Sequence, residues 1–194
     1  DIQRGLSVSD CLERNIQVRH PAGGLAHVTF GVAGQVGSLN GINESGLAVS
    51  LASLIDVPRA ARTVIGKLPT VLVKNVLEAA RDIESAVEIL RNTQCSTAWS
   101  LCLSHSGHDQ VCYAEFDGQG LKVQPSPPAV IAANHRLLQT LTEDVPAASQ
   151  YRLQRLKELL GGDCPTDLST SQAQSALRDR FDARRGRESD HPTI

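Results

Sequence analysis

Residues 38–51, SLNGINESGLAVSL, set Asn43 between Gly41 and Gly46 and directly ahead of an apolar run. Glycine tolerates positive φ at little cost, so the stretch reads as a tight turn entering a buried strand. An asparagine projecting from such a turn offers a fixed, neutral N–H donor. The chemistry that needs one is stabilisation of an oxyanion as its charge develops. The same side chain could instead satisfy the backbone of its own turn. Two further polar groups hold comparable places. Asn134-His135 follows the apolar run 129–133, where turn formation is the plainer use of an Asn. Arg152 lies in the first turn of an amphipathic segment, off the stripe of Leu153, Leu156 and Leu160, where a solvated arginine is the plainer use.

The thiols suggest a second chemistry. Cys11, Cys95, Cys102, Cys112 and Cys164 are odd in number and include no CxxC pair. That pattern opposes a disulfide scaffold and a zinc ribbon. Cys102 and Cys112 sit in strand-like apolar runs and read as inert core thiols. A reducing, cytoplasmic setting and no cofactor or metal are the expectations.

The elements that must position these groups follow from periodicity. Residues 16–20, 26–33, 47–55, 97–104, 111–116, 120–124 and 129–133 read as strands, with turns at Pro21–Gly24, Gly107–Asp109 and Asp117–Gly120. Val73, Val76, Leu77 and Ala80 follow helical spacing behind Thr70 as N-cap. Ile83, Ala86, Val87 and Leu90 repeat it behind Asp82. A third helix starts near Ser149 and stops at Gly161-Gly162; a fourth spans about 171–181 behind Thr170/Ser171. Helices come in pairs between groups of strands. That order disfavours a doubly wound parallel sheet and favours antiparallel sheets with helices outside them.

The 194 residues suit one domain over 1–194, and such a chain buries about 70% of its unfolded surface. A net charge of −2 gives no electrostatic case for nucleic acid or an anionic membrane. The arginines of 178–187 alternate with acids and read as a solvated face. No apolar run approaches the ~20 residues of a membrane span. The chain opens on Asp1 and lacks Met, so Asp1 is not expected to be a translation start.

The motifs extend in order along the chain. GINESGLAVSL resembles the Gly-Met-Asn-Glu-x-Gly-Leu segment of the N-terminal nucleophile (Ntn) hydrolases, in their choloylglycine hydrolase and penicillin acyltransferase (peptidase C45-like) branch. Ile42 stands where that segment has Met. FGVAGQVGSLNGINESGL is similar to the stretch leading into it, and ARDIESAVEILRNTQCSTAWSLCLSHSG to the helix pair and strand that follow. VIAANHR resembles the Thr/Ala-Asn-His segment, SQYRLQRLKELL the Ser-x-x-Arg helix, and DHPTI a late His-containing segment.

The resemblance runs from about residue 16 to the C-terminus. It implies an α+β fold, a four-layer α/β/β/α sandwich of two mainly antiparallel sheets. It implies a thiol-dependent amidohydrolase or acyltransferase acting on a linear C–N amide bond through an acyl-enzyme. Asn43 and Asn134 would be the site asparagines, facing one cleft, with Arg152 at its wall. Asn43→Ala would then strike kcat rather than folding. His135 and His191 would serve structure more than proton transfer, since the nucleophile's own amine acts as base.

The nucleophile implied is an N-terminal Cys freed by autoproteolysis. Asp1 is not one, Cys11 is not terminal, and Arg14-Asn15-Ile16-Gln17 has Gln where an Arg-Asn-x-Asp segment has Asp. The expectation is a chain lacking its nucleophile segment and last strands. Expected partners are a small amide substrate, the remaining segment of the same precursor and a second copy in a homo-oligomer. The alternative is a catalytically inactive Ntn-like domain that binds a ligand or partner.

Overall fold

The computed structural model describes residues 14–57, 64–107, 110–117, 120–125, 127, 129–138, 145–162, 168–179, 181–182 and 187–188. Cys11, Cys164 and His191 lie outside them. Seven strands pair antiparallel in chain order: β1 (Arg14–Arg19), β2 (His27–Val32), β3 (Asn40–Asn43), β4 (Leu47–Ser53), β5 (Trp99–His105), β6 (Gln110–Asp117) and β7 (Gly120–Pro125). Helices α1 (Pro69–Ala79) and α2 (Ile83–Arg91) connect β4 to β5. Helices α3 (Ala147–Leu160) and α4 (Thr170–Leu177) follow the sheet, then the short ribbon of β8 (Phe181–Asp182) and β9 (Arg187–Glu188).

Strand alternation divides the sheet into two chemistries. Leu47, Val49 and Leu51 of β4 share one face with Leu101 and Leu103 of β5 and Cys112, Ala114 and Phe116 of β6. They bury against Leu72, Val73, Val76 and Leu77 of α1 and Ala86, Val87 and Leu90 of α2. Each such aliphatic side chain contributes about 1.5–3 kcal/mol on burial. The intervening residues, Ser50 and Ala52, Ser100 and Cys102, Tyr113 and Glu115, turn to the opposite face, in the registers Ser50 with Cys102, Ala52 with Ser100 and Ser100 with Glu115.

The α+β class, the antiparallel pairing and the paired helices agree with the sequence reading. The second sheet is not found among the described residues, which form one large sheet and the ribbon. The run 129–133, expected as a strand, joins no ladder. Only Ala133 of the run is buried; residues 129–132 are half-buried, and Val130, Ile131 and Ala132 line a cleft rather than a ladder. Residues 40–43, read as pure turn, form the short strand β3.

Helix ends differ in detail. Pro69 fills the first position of α1 behind Leu68. Thr70 is no cap; its hydroxyl donates to the Val36 carbonyl at 2.7 Å. Asp82 caps α2 as expected, accepting from Ser85 N at 2.8 Å in a reciprocal capping box. Ser169 rather than Thr170 or Ser171 caps α4. Gly161 ends α3 in the left-handed conformation. The two glycines around Asn43 have separate causes. Gly46 has φ 88°, which suits only a residue without Cβ. At Gly41 a Cβ would lie 2.5 Å from Leu77 Cδ1, so the glycine lets α1 approach the sheet.

Candidate active site

The polar centre of the molecule lies where β4 ends. Beyond Ser53 the chain leaves its ladder. Leu54 N donates to the Ala98 carbonyl at 3.1 Å, and Ile55 N donates to the Asn134 carbonyl at 2.8 Å. The segment 134–138 is thereby pinned across the strand end. Asn134 Nδ2 donates to the Ser53 carbonyl at 3.0 Å, and Asn134 Oδ1 accepts from Arg152 Nη2 at 2.6 Å. Asn134 is half-buried. One of its two amide hydrogens is engaged; the other has no partner among the described residues. A guanidinium on Oδ1 draws electron density from the amide and strengthens Nδ2–H as a donor.

Three side chains that the sequence did not mark as site residues hold this loop. Ser149 Oγ accepts from Asn134 N at 2.8 Å and lies 2.8 Å from His135 Nδ1. Asp56 accepts from Arg136 N at 3.2 Å and from Arg136 Nε at 3.1 Å, both residues buried. Glu115 accepts from the Tyr113 hydroxyl at 3.0 Å, from Leu138 N at 3.3 Å and from Leu137 N. A carboxylate inside VCYAEF was the available signal, since an acid in an apolar strand must find partners when buried. Asp56 gave none, because its partner lies 80 positions away.

The environment shifts two of these groups. Burial raises the Glu115 carboxyl above its ordinary range; the Asp56 charge adds to this, while the donors from Leu137, Tyr113 and Leu138 oppose it. Burial likewise lowers His135. Asp56 counters that change, and the cations of Arg152 and Lys157 reinforce it.

Asn43 is placed elsewhere and does not make the expected convergence with Asn134. It stands beside Leu47, where β4 begins, whereas Asn134 meets β4 at its last residue; at ~3.3 Å per residue the two lie roughly 20 Å apart. Asn43 is also buried and fully engaged. Nδ2 donates to the Leu77 carbonyl at 3.1 Å and the Ala80 carbonyl at 2.7 Å, while Oδ1 accepts from Ser45 N and Leu47 N, each at 3.1 Å. Neither amide hydrogen faces a cleft. The side chain ties the last turn of α1, whose carbonyls lack helical partners, to the β3–β4 turn. Arg152 and Asn134 are brought together; Asn43 is not.

Beside the Asn134 loop, a half-open cleft of about 220 Å³ lies between the second face of the sheet and α3. Ala52 and Cys102 floor it; Val130, Ile131, Leu156 and Leu160 wall it. Leu156 is one helical turn beyond Arg152, and Ala132 at the rim is two residues before Asn134. Burial pushes the Cys102 thiol up to about 11 and Cys95 to about 12, and raises Cys112. These thiols are held protonated at neutral pH, the reverse of what a nucleophile needs. The described residues contain no group of three His, Cys, Asp or Glu side chains placed to hold a metal ion.

This antiparallel sheet with its helix pairs is an Ntn hydrolase-like fold. The family model of acyl-coenzyme A:6-aminopenicillanic acid acyl-transferase matches residues 9–194, and the chain belongs to that family. Among solved structures, the N-acylethanolamine-hydrolyzing acid amidase ortholog of Caenorhabditis elegans is similar over 85% of this chain and 73% of its own, with 13% identity and a TM-score of 0.51. Two variants of conjugated bile acid hydrolase from Clostridium perfringens show 14% and 16% identity, with TM-scores of 0.43 and 0.45. The matches cover 71% and 81% of this chain but only 43% and 53% of the hydrolase. No curated protein matches the sequence. Among the described residues, no helix is long and apolar enough to cross a membrane.

Proposed function

We propose that the protein is a thiol-dependent acyl-transfer enzyme acting on linear amides, with water or an amine as acceptor. The observation that carries this reading is the Arg152–Asn134 contact at 2.6 Å, which polarises an amide whose second hydrogen has no partner among the described residues, in a chain of an acyltransferase family. The nucleophile in this reading is a terminal cysteine outside the described residues, exposed by self-processing of a precursor. Its thiolate attacks the substrate carbonyl, a C–S bond forms, and negative charge moves to the carbonyl oxygen. Asn134 Nδ2–H donates to that oxygen, and Arg152 supplies positive charge behind it. The C–N bond then breaks; the leaving amine takes the proton that the nucleophile's α-amino group had received from the thiol when the thiolate formed. Water or a second amine opens the thioester. The acyl arm lies along the cleft between Ala52 and Leu156, whose lining suits an apolar chain. The setting is cytoplasmic, and the substrate is a small molecule.

The test uses the complete natural polypeptide. Intact mass and N-terminal sequencing should find a processed cysteine. Turnover of a medium-chain N-acyl amide should cease after alkylation of that thiol. An unprocessed chain without turnover would sink the enzymatic reading and leave a ligand-binding Ntn-like domain in its place.

A further inference from the structure

Ser149 is fully buried in the first turn of α3, and it grips the Asn134 loop from within. Its hydroxyl oxygen accepts the main-chain N–H of Asn134. One turn further along the same helix, Arg152 holds the side-chain oxygen of Asn134. Asn134 is therefore held at two points by one rigid element. Two fixed points set the direction of Nδ2–H far more tightly than one. A buried hydroxyl must also place its own hydrogen. With Asn134 N–H donated to it, the acceptor within reach among the described residues is His135 Nδ1, at 2.8 Å.

We propose that Ser149 and His135 are positioning residues for Asn134: the Ser149 hydroxyl donates to a neutral His135 ring protonated on Nε2, and so stays oriented to accept from Asn134 N. This rests on the reading of Asn134 as the oxyanion donor. The ring does not touch substrate. It keeps the hydroxyl's hydrogen away from the Asn134 N–H, so that the lone pair faces that donor. The alternative tautomer, with a proton on Nδ1, would leave the Ser149 hydrogen without this acceptor and free the hydroxyl to rotate.

The test has a spectroscopic and a kinetic arm. Long-range ¹H–¹⁵N spectra of the ¹⁵N-labelled protein at neutral pH should show His135 protonated on Nε2 and bare on Nδ1. Ser149→Ala should release that tautomer, and Ser149→Thr should keep it. In the complete protein with a medium-chain N-acyl amide, Ser149→Ala should lower kcat about 10²-fold at unchanged KM, since an error near 1 Å in a reacting group costs about that much. Ser149→Thr should restore most of it. If Ser149→Ala does not fold, His135→Asn, which retains an acceptor near the position of Nδ1, should keep kcat where His135→Leu loses it. A proton on Nδ1 in the wild type would overturn the proposal. So would Ser149→Ala or His135→Leu at full kcat, or a loss confined to melting temperature. A wild type without turnover would remove the enzymatic reading, while the tautomer measurement still decides the positioning pair.

Discussion

The two ends of β4 each carry an asparagine, and they use the same side chain in opposite ways. At the start of the strand, Asn43 spends both amide hydrogens and its oxygen on backbone groups of α1 and the β3–β4 turn. At its end, Asn134 spends one hydrogen on Ser53, takes a cation on its oxygen, and is half-exposed beside an apolar cleft. The first arrangement is saturated and neutral. The second is unsaturated, polarised and braced by charged groups. A donor can act on a substrate only when the fold has not already consumed it. Residue type and neighbouring glycines do not report that; the count of remaining hydrogens does.

The largest effect should come from the charged brace. Asp56→Ala would leave the buried Arg136 guanidinium without its carboxylate, at a cost of about 3–5 kcal/mol. Chemical denaturation would read this directly. A loss under 1 kcal/mol would mean that water reaches Arg136 and that the 134–138 loop is held by other contacts. Next is Asn134→Ala. Loss of this donor should lower kcat by about 10²–10³, roughly 3–4 kcal/mol, while KM changes little. Steady-state kinetics on the complete protein decides it, and equal losses in the Asn43 and Asn134 variants would erase the contrast between the two ends.

Asn43→Ala should show the complementary pattern. It leaves the Leu77 and Ala80 carbonyls and the Ser45 and Leu47 N–H groups without their partner, and it should cost roughly 2–3 kcal/mol of stability. Activity per folded molecule should stay close to wild type. A thermal melt beside kcat normalised to the folded fraction distinguishes the two. Near-normal melting with a collapsed kcat would restore Asn43 to the site.

What was legible in the sequence was whatever local physics decides. Asp82, three residues before Ser85, declared its cap, and Gly161 declared a helix end. The alternation of LAVSL declared a strand with one buried face. The Ser149–Arg152 spacing put the two residues one turn apart on the same helix. Long-range satisfaction was not legible. Asn43 finds its acceptors 34 and 37 residues away, and Asp56 finds Arg136 80 residues away. Nothing in the local string distinguishes an asparagine that will meet the end of a helix from one that will meet solvent. The apolar run 129–133 failed as a strand for a related reason. Hydrophobicity specifies burial, while ladder membership depends on a free sheet edge that the string does not reveal.

The smallest expected effect is pH dependence, and it separates the braces of the Asn134 loop from each other. His135 is lowered by burial from its ordinary 6.5, with Asp56 opposing the change and Arg152 and Lys157 adding to it. The unfolded chain then binds a proton at a pH where the folded one does not. Stability from neutral His135 is present above about 6.5 and declines as pH falls below it. Glu115 behaves in the reverse sense. Burial, its main cause, raises it above the ordinary 4.5. Its contribution is complete below 4.5 and is lost as pH rises through the folded value. Melts of the wild type and of His135→Asn between pH 5 and 8 should therefore diverge towards neutral pH, with the wild type gaining. Melts of the wild type and of Glu115→Gln should shift in favour of the variant as pH rises from 4 towards 7. Parallel curves for His135→Asn would place water at that ring. Parallel curves for Glu115→Gln would mean that the hydrogen bonds its carboxylate accepts, from the Tyr113 hydroxyl, Leu137 N and, at both oxygens, Leu138 N, cancel its burial.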